Sequence, residues 1–398
     1  MAFEKASPRR RGRAIAGVAL LFVACLAATE FYLATEAGSG GRETVFLGEK
    51  PAGGARHVRL REWQPRTTYL APPPEIRRRN PGPTGARVAD FYRLETDDEG
   101  YIRPVGTGGD GGLTLAFLGG STTECLYVLP EGRLHAVAGA TLAAALERPV
   151  AALNGAKSGN NALHSLHLLT GKMLSRRPDA VIVMHNINDL AALARLGTYW
   201  NGDGSLSPLI AEKTGAGAAF KALRDALIPH TYRAFKRLTR SPAREAEPAP
   251  PTAAQAPLGL QAGELHRWAH DFERALRQLV RVAQSWDSRA VLVTQVVAHG
   301  DAWGGRAGQG DYLAPGRLAR QGFTPESFRA AHDRFNEIIR RVAAEEEAYL
   351  VDLAAGEGWD ASLVYDRLHF TDAGARRAGR AIAEALIPAF HARPPDNE

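Results

Sequence analysis

The residues best suited to chemistry are Gly119-Gly120-Ser121-Thr122, directly after the apolar run Leu113 to Leu118, and Asp366-Arg367-Leu368-His369 near the C-terminus. A serine at a sharp turn from strand to helix exposes its hydroxyl and sets its backbone N–H at a positive helix terminus. An imidazole can take the serine proton if a carboxylate holds the ring through Nδ1 and leaves Nε2 free. Asp366 and His369 stand three apart, so one helical turn puts them on the same side. Ser121 therefore reads as a nucleophile, His369 as its base and Asp366 as the group that orients the base, which is the chemistry of acyl transfer. Each piece alone is weak, since glycine turns also cradle phosphates or merely reverse the chain.

Two further clusters sit at strand ends. Asn154 to Asn161 places flexible backbone after a strand, where the Gly159 N–H could face a developing oxyanion; the same stretch also reads as an ordinary loop with Asn160 or Asn161 as helix N-cap. In His185-Asn186-Ile187-Asn188-Asp189, Asn188 offers a neutral amide donor for an oxyanion, and Asp189 can hold the loop by accepting backbone N–H bonds. A plain polar turn is the competing reading, with His185 a satisfied loop histidine. Cys125 is a second candidate nucleophile or a small buried thiol.

Together these four segments resemble the SGNH (GDSL-like) hydrolase superfamily, whose blocks supply a serine, a glycine, an asparagine and a histidine in that chain order. The resemblance covers residues 113 to 390. It implies Ser121, Asp366 and His369 as catalytic residues and Ser121, Gly159 and Asn188 as the oxyanion hole. Gly120, which lets the chain turn tightly, and Asp189, which can hold its loop, read as supports, and no metal or cofactor follows from the sequence. Two positions depart from the family pattern. Gly120 stands where the family often has aspartate, which should alter how the serine turn is held, and Asn186 stands where glycine is usual, which should leave that backbone less free.

To bring these groups together the chain needs a scaffold, and from residue 113 onward the pattern supplies one. Apolar runs at Leu113 to Leu118, Val150 to Leu153, Ala180 to Met184, Ala290 to Val297 and Ala348 to Leu353 alternate with helical candidates near 131–147, 161–176, 263–286, 325–346 and 371–390. This predicts an α/β fold: a doubly wound, mostly parallel five-stranded sheet, flavodoxin-like in the superfamily it resembles. Residues 195–262 read as an insertion with a disordered, Ala/Pro-rich loop at about 241–257, and 300–322 as a second long loop; both are candidates for a lid or specificity wall. Residues 35–112 read as a stalk and loop-rich packing segment, and 391–398 as a tail.

With 398 residues, 45% of them hydrophobic, the chain can bury a sizeable core, and two cysteines exclude a disulfide framework. Much of the +6 net charge lies in Arg9, Arg10, Arg11 and Arg13. Ahead of the apolar run 14–34, about 31 Å long as a helix, they read as a topology signal rather than a nucleic-acid surface. The expectation is a cytoplasmic segment 1–13, an uncleaved transmembrane signal anchor 14–34, and a periplasmic catalytic domain on the bacterial inner membrane; a cleaved signal peptide is the rival. Oligomeric state is left open.

On this location and resemblance, the expected activity is a serine esterase that hydrolyses or transfers acyl esters, foremost O-acetyl groups on an envelope or extracellular polysaccharide. Lipase or thioesterase activity is the alternative within the superfamily. A non-catalytic polysaccharide-binding component would not require the intact Ser121, Asn188, Asp366 and His369 set. A metal-dependent phosphoesterase using His185, Asp189, Asp366 and His369 would want more carboxylates at the other strand ends.

Overall fold

The apolar runs become the strands β1 (Leu113–Gly119), β2 (Val150–Asn154), β3 (Ala180–Met184), β4 (Arg289–Val293) and β5 (Tyr349–Val351) of one sheet. All neighbours are parallel, in the order β2-β1-β3-β4-β5, with Leu115 opposite Ala180 and Leu113 opposite Val150. Strand order reverses between β1 and β3, the switch point where open α/β sheets place their ligands. The computed structural model describes residues 23–32, 45–47, 58–83, 87–106, 108, 111–199, 208–211, 224, 227, 231–232, 262–298, 313–314, 318–319 and 322–391.

Strand residues alternate between two buried faces. Ala116, Leu118, Val181, Val183 and Leu292 point to one side, Leu115, Phe117, Ala152, Ile182 and Val291 to the other. The connecting helices are α1 (Ser121–Glu124), α2 (Leu134–Leu146), α3 (Ala162–Gly171), α4 (Ile187–Leu196), α5 (Ala262–Gln284), α6 (Pro325–Glu345) and α7 (Asp372–His391). The first face takes Leu168 of α3, Leu190 of α4, Phe272 of α5 and Phe335 of α6. The second takes Leu142 of α2 and Ile382 of α7. A sheet covered on both sides cannot tolerate voids: truncating the fully buried Phe117 to alanine would cost on the order of 3–5 kcal/mol.

Three local features differ from the sequence reading. Helix α4, absent from the helical candidates, begins inside the cluster for which a polar turn is the competing reading and runs to Leu196, where Gly197 closes it at φ +69°. The run Ala290 to Val297 leaves the sheet after Val293, which frees Gln295 for another task. Residues 58–106 are not featureless: Thr68–Ala71 pairs antiparallel with Val45–Leu47 and Tyr92–Glu95, and Val58–Leu60 with Leu209–Ala211. Strands of three or four residues are too short for alternation to show in sequence.

That segment is sewn onto the sheet domain by long-range bonds. Ile102 N–H donates to the Asn154 carbonyl at 2.9 Å. Arg77, wholly buried, donates to Asp372 at 2.7 Å, and its local bonds to the carbonyls of Asn80 and Pro81, at 3.1 and 2.7 Å, hold the guanidinium in place.

The chain divides into two compact units, residues 44–211 with 249–398, which hold the sheet, and residues 1–43 with 212–248. In the second of these, residues 23–32 are helical and the Glu30 carboxylate accepts the Thr231 N–H at 2.6 Å. Most of the expected anchor, like the expected loop at 241–257, lies outside the described residues. Among the described residues no helix is long and apolar enough to cross a membrane.

Candidate active site

Ser121 is the first residue of α1, which follows β1 after the single residue Gly120. The helix lasts one turn, because Cys125 takes a left-handed conformation (φ +52°) and the long helix starts only at Leu134. The Ser121 N–H is thus one of the unpaired donors of a helical first turn, without a long helix dipole behind it. The expectation of a positive helix terminus is corrected to this extent.

Across the top of the sheet, His369 Nε2 lies 2.7 Å from Ser121 Oγ, and Nδ1 lies 2.7 Å from Asp366 Oδ2. The two groups do not share a helical turn as the spacing suggests. They sit on a tight loop reversed at Arg367 (φ +70°) and closed by the Val364–Phe370 bridge. Asp366 Oδ1 accepts the N–H groups of Leu368 (3.2 Å) and His369 (2.8 Å), so one carboxylate oxygen folds the loop and the other orients the ring. Helix α7 follows, with Thr371 Oγ1 accepting the Gly374 N–H at 3.2 Å.

The remaining predicted groups converge on the same place. Asn188 Nδ2 donates to the Asn160 carbonyl at 2.8 Å, which uses one of its two amide hydrogens and leaves the other. Gly159 adopts φ +79°, which side chains rarely tolerate, and no described acceptor takes its N–H. A Cβ on Gly120 would run into Asn188 Nδ2, so the glycine makes room for the amide beside the serine. Ser121, Gly159, Asn188 and His369 keep partial exposure, whereas Thr122, Asn160, Asp189 and Asp366 are buried beneath them.

Several readings left open in sequence resolve. Asn161, not Asn160, caps α3, in a reciprocal pair with His164 at 3.2 and 3.0 Å. Asp189 does accept a backbone N–H, that of Ala162 at 2.8 Å, and also the Tyr199 hydroxyl at 2.6 Å. Burial pushes its carboxyl up to about 7. His185 is a buried histidine with Nε2 at 2.7 Å from Ser165 Oγ, and burial lowers it to about 3. The Cys125 thiol donates to the Thr122 carbonyl at 3.1 Å, and burial pushes it up to about 12, far from a thiolate nucleophile. Asn186, expected to restrict the backbone, has φ −174°, which any residue adopts; its amide donates to the His332 carbonyl (3.0 Å) and Asn336 Oδ1 (2.9 Å) of α6.

Sequence reasoning missed three supports. Gln295, at the end of the β4 run, donates to Thr122 Oγ1 at 2.9 Å and accepts the Ile187 N–H at 2.9 Å, tying the serine turn to the start of α4. Asn154 donates to the Thr123 carbonyl at 3.0 Å and meets His135 Nδ1 at 2.9 Å, while His135 Nε2 reaches the Ile102 carbonyl at 3.2 Å. Those partners require a neutral ring protonated at Nε2, and burial lowers His135 to about 3. Third, Glu124 is buried one turn from Ser121 and accepts the Trp63 indole N–H at 3.0 Å and the Ser158 N–H at 3.2 Å. Burial raises its carboxyl, against the pull of Ser158.

Comparison with known proteins bears on this site. The model of the GDSL-like Lipase/Acylhydrolase family matches residues 117–377, which include the serine turn, both polar loops and the Asp366–His369 loop. No curated protein matches the chain. Among solved structures it is similar to an alpha/beta hydrolase enzyme from the metagenome of Lake Arreo, Spain, at 17% identity over 71% of this chain and 97% of that one, with a TM-score of 0.37. An acetylxylan esterase from Geobacillus stearothermophilus is 18% identical over 70% and 93% of the two chains, TM-score 0.37. A protein described as a GDSL-like lipase, from Parabacteroides merdae, is 12% identical over 69% and 94%, TM-score 0.39.

Proposed function

Because the chain belongs to the GDSL-like lipase/acylhydrolase family and is an ester-hydrolysing enzyme, we propose that Ser121 is its nucleophile, His369 its general base and Asp366 the group that orients the base. The observation that carries this reading is the continuous relay from Ser121 Oγ through His369 to Asp366, with both links at 2.7 Å. Ser121 Oγ bonds to the ester carbonyl carbon as its proton passes to His369 Nε2. The negative charge that develops on the carbonyl oxygen meets the N–H groups of Ser121 and Gly159 and the uncommitted amide hydrogen of Asn188. His369 then gives its proton to the departing alcohol, leaving an acyl-Ser121 ester. Water, deprotonated by the same ring, releases the acid and restores the serine.

The substrate in this reading is an O-acetyl ester on an envelope or extracellular polysaccharide. What supports it is the basic cluster Arg9 to Arg13 ahead of the apolar run 14–34, which suits a single-pass anchor in the bacterial inner membrane with the catalytic residues on the periplasmic side. The test is to incubate the full-length protein and Ser121→Ala with an O-acetylated polysaccharide and measure released acetate. Acetate from the first and not the second is expected. Hydrolysis of short activated esters without acetate release from any glycan would remove the polysaccharide from the reading and leave the nucleophile standing.

A further inference from the structure

Residues 61–63 lie far ahead of the region that carries the family match, yet they hold the oxyanion loop 157–160 from three directions. The Glu62 carbonyl accepts from Lys157 Nζ at 2.6 Å, and that ammonium also sits 4.8 Å from the centre of the Trp63 ring. Trp63 Nε1 donates to Glu124, whose carboxylate in turn accepts both the N–H and the hydroxyl of Ser158. Arg61 Nη1 donates to Asn160 Oδ1 at 2.7 Å, while Asn160 Nδ2 donates back to the Arg61 carbonyl at 3.2 Å. Ser158 is reached only through Glu124, and Gly159 makes no bond to residues 61–63; instead the Arg61 guanidinium covers it, 3.0 Å from where a Cβ would stand.

Such an arrangement has a purpose beyond packing. Gly159 holds a left-handed conformation, and its N–H is useful only if it stays aimed at one point; a loop of four residues anchored at 157, 158 and 160 has little freedom left at 159. The Asn160 carbonyl is also the acceptor that fixes the Asn188 amide. Both donors outside the serine turn therefore depend on one clamp.

The geometry points to residues 61–63, with Arg61 foremost, as positioning residues of the oxyanion hole: this strap holds Gly159 through its anchored neighbours 157, 158 and 160 and through the cover of the Arg61 guanidinium, and holds Asn188 through the Asn160 carbonyl. This rests on the oxyanion roles given to Gly159 and Asn188 above. Preorganised donors lower the barrier without binding the ground state more tightly, so the strap should act on kcat and not on KM.

The test uses the full-length protein and a short activated ester. Arg61→Ala should lower kcat by about 10- to 100-fold with KM within about twofold. Trp63→Phe, which keeps an aromatic face beneath Lys157 but deletes the indole N–H donated to Glu124 along with part of the ring, should lower kcat in the same sense while the variant stays folded. In an Asn188→Ala background the Arg61→Ala penalty should shrink, because part of it is exerted through the Asn188 amide. A strap that acts on substrate directly would instead raise KM and give fully additive losses. That result, or an unchanged kcat in both folded single variants, overturns the proposal. Loss of activity in Ser121→Ala is independent of this outcome, so failure of the clamp and failure of the nucleophile assignment are told apart.

Discussion

Gly120 and Asn188 share one small volume: a side-chain carbon on the glycine would occupy the space of the asparagine amide nitrogen. The serine turn and the first turn of α4, which follow the neighbouring strands β1 and β3, are thus fitted to each other beside Ser121.

It follows that Gly120→Ala should displace the Asn188 amide while leaving Ser121 and His369 in place. The expected result is a loss of about 10²-fold in kcat, comparable to that of Asn188→Ala. Combining the two substitutions should cost little more than either. Steady-state kinetics of the two variants and the double variant measure this, and independent, multiplying losses would contradict it.

Asp366 performs two tasks with its two oxygens, and Asp366→Asn separates them. The amide keeps an oxygen to accept the Leu368 and His369 N–H groups, so the loop should fold. Its NH2 group, however, faces Nδ1 and favours the tautomer whose proton is on Nε2, where it blocks acceptance from Ser121. A loss of at least about 10³-fold in kcat with little change in melting temperature is the expected outcome.

The buried Asp189 makes a pH-dependent statement. Its carboxyl is raised from 3.8 to about 7 on folding, so the folded chain keeps the proton where the unfolded chain has lost it. Stability from this group is full below about pH 4 and declines as pH rises through about 7. Asp189→Asn retains the acceptor for Ala162 and Tyr199 and removes the titration. The difference in melting temperature, variant minus parent, should therefore be more positive at pH 8 than at pH 4; calorimetry at the two values measures it.

Much of the scaffold is legible in the sequence because buried parallel strands are short continuous apolar runs, as at Leu113 to Leu118 and Ala180 to Met184. The candidate site residues are legible because they fall in the polar segments that follow such runs or, for Asp366 and His369, directly before the last helix. Helix α4 was within reach of the same reasoning: Ile187, Leu190 and Leu193 recur at helical spacing and Gly197 follows, but the polar residues at its start draw attention away. The loop geometry of Asp366 and His369 was not, because a spacing of three fits a helical turn and a reversal at Arg367 equally. Nor was the strap. Arg61 meets Asn160, and Trp63 meets Glu124, across 99 and 61 residues, and no local period records a contact made at that distance.

The central claim is that the Ser121 hydroxyl, activated by His369, attacks the ester, and its most direct measurement is the site of covalent capture. Treatment with a serine-directed organophosphonate, followed by mass spectrometry of the peptides, should place one adduct on Ser121 in step with loss of esterase activity, with neither adduct nor activity in Ser121→Ala. An adduct on another residue, or undiminished hydrolysis by Ser121→Ala, would contradict the account.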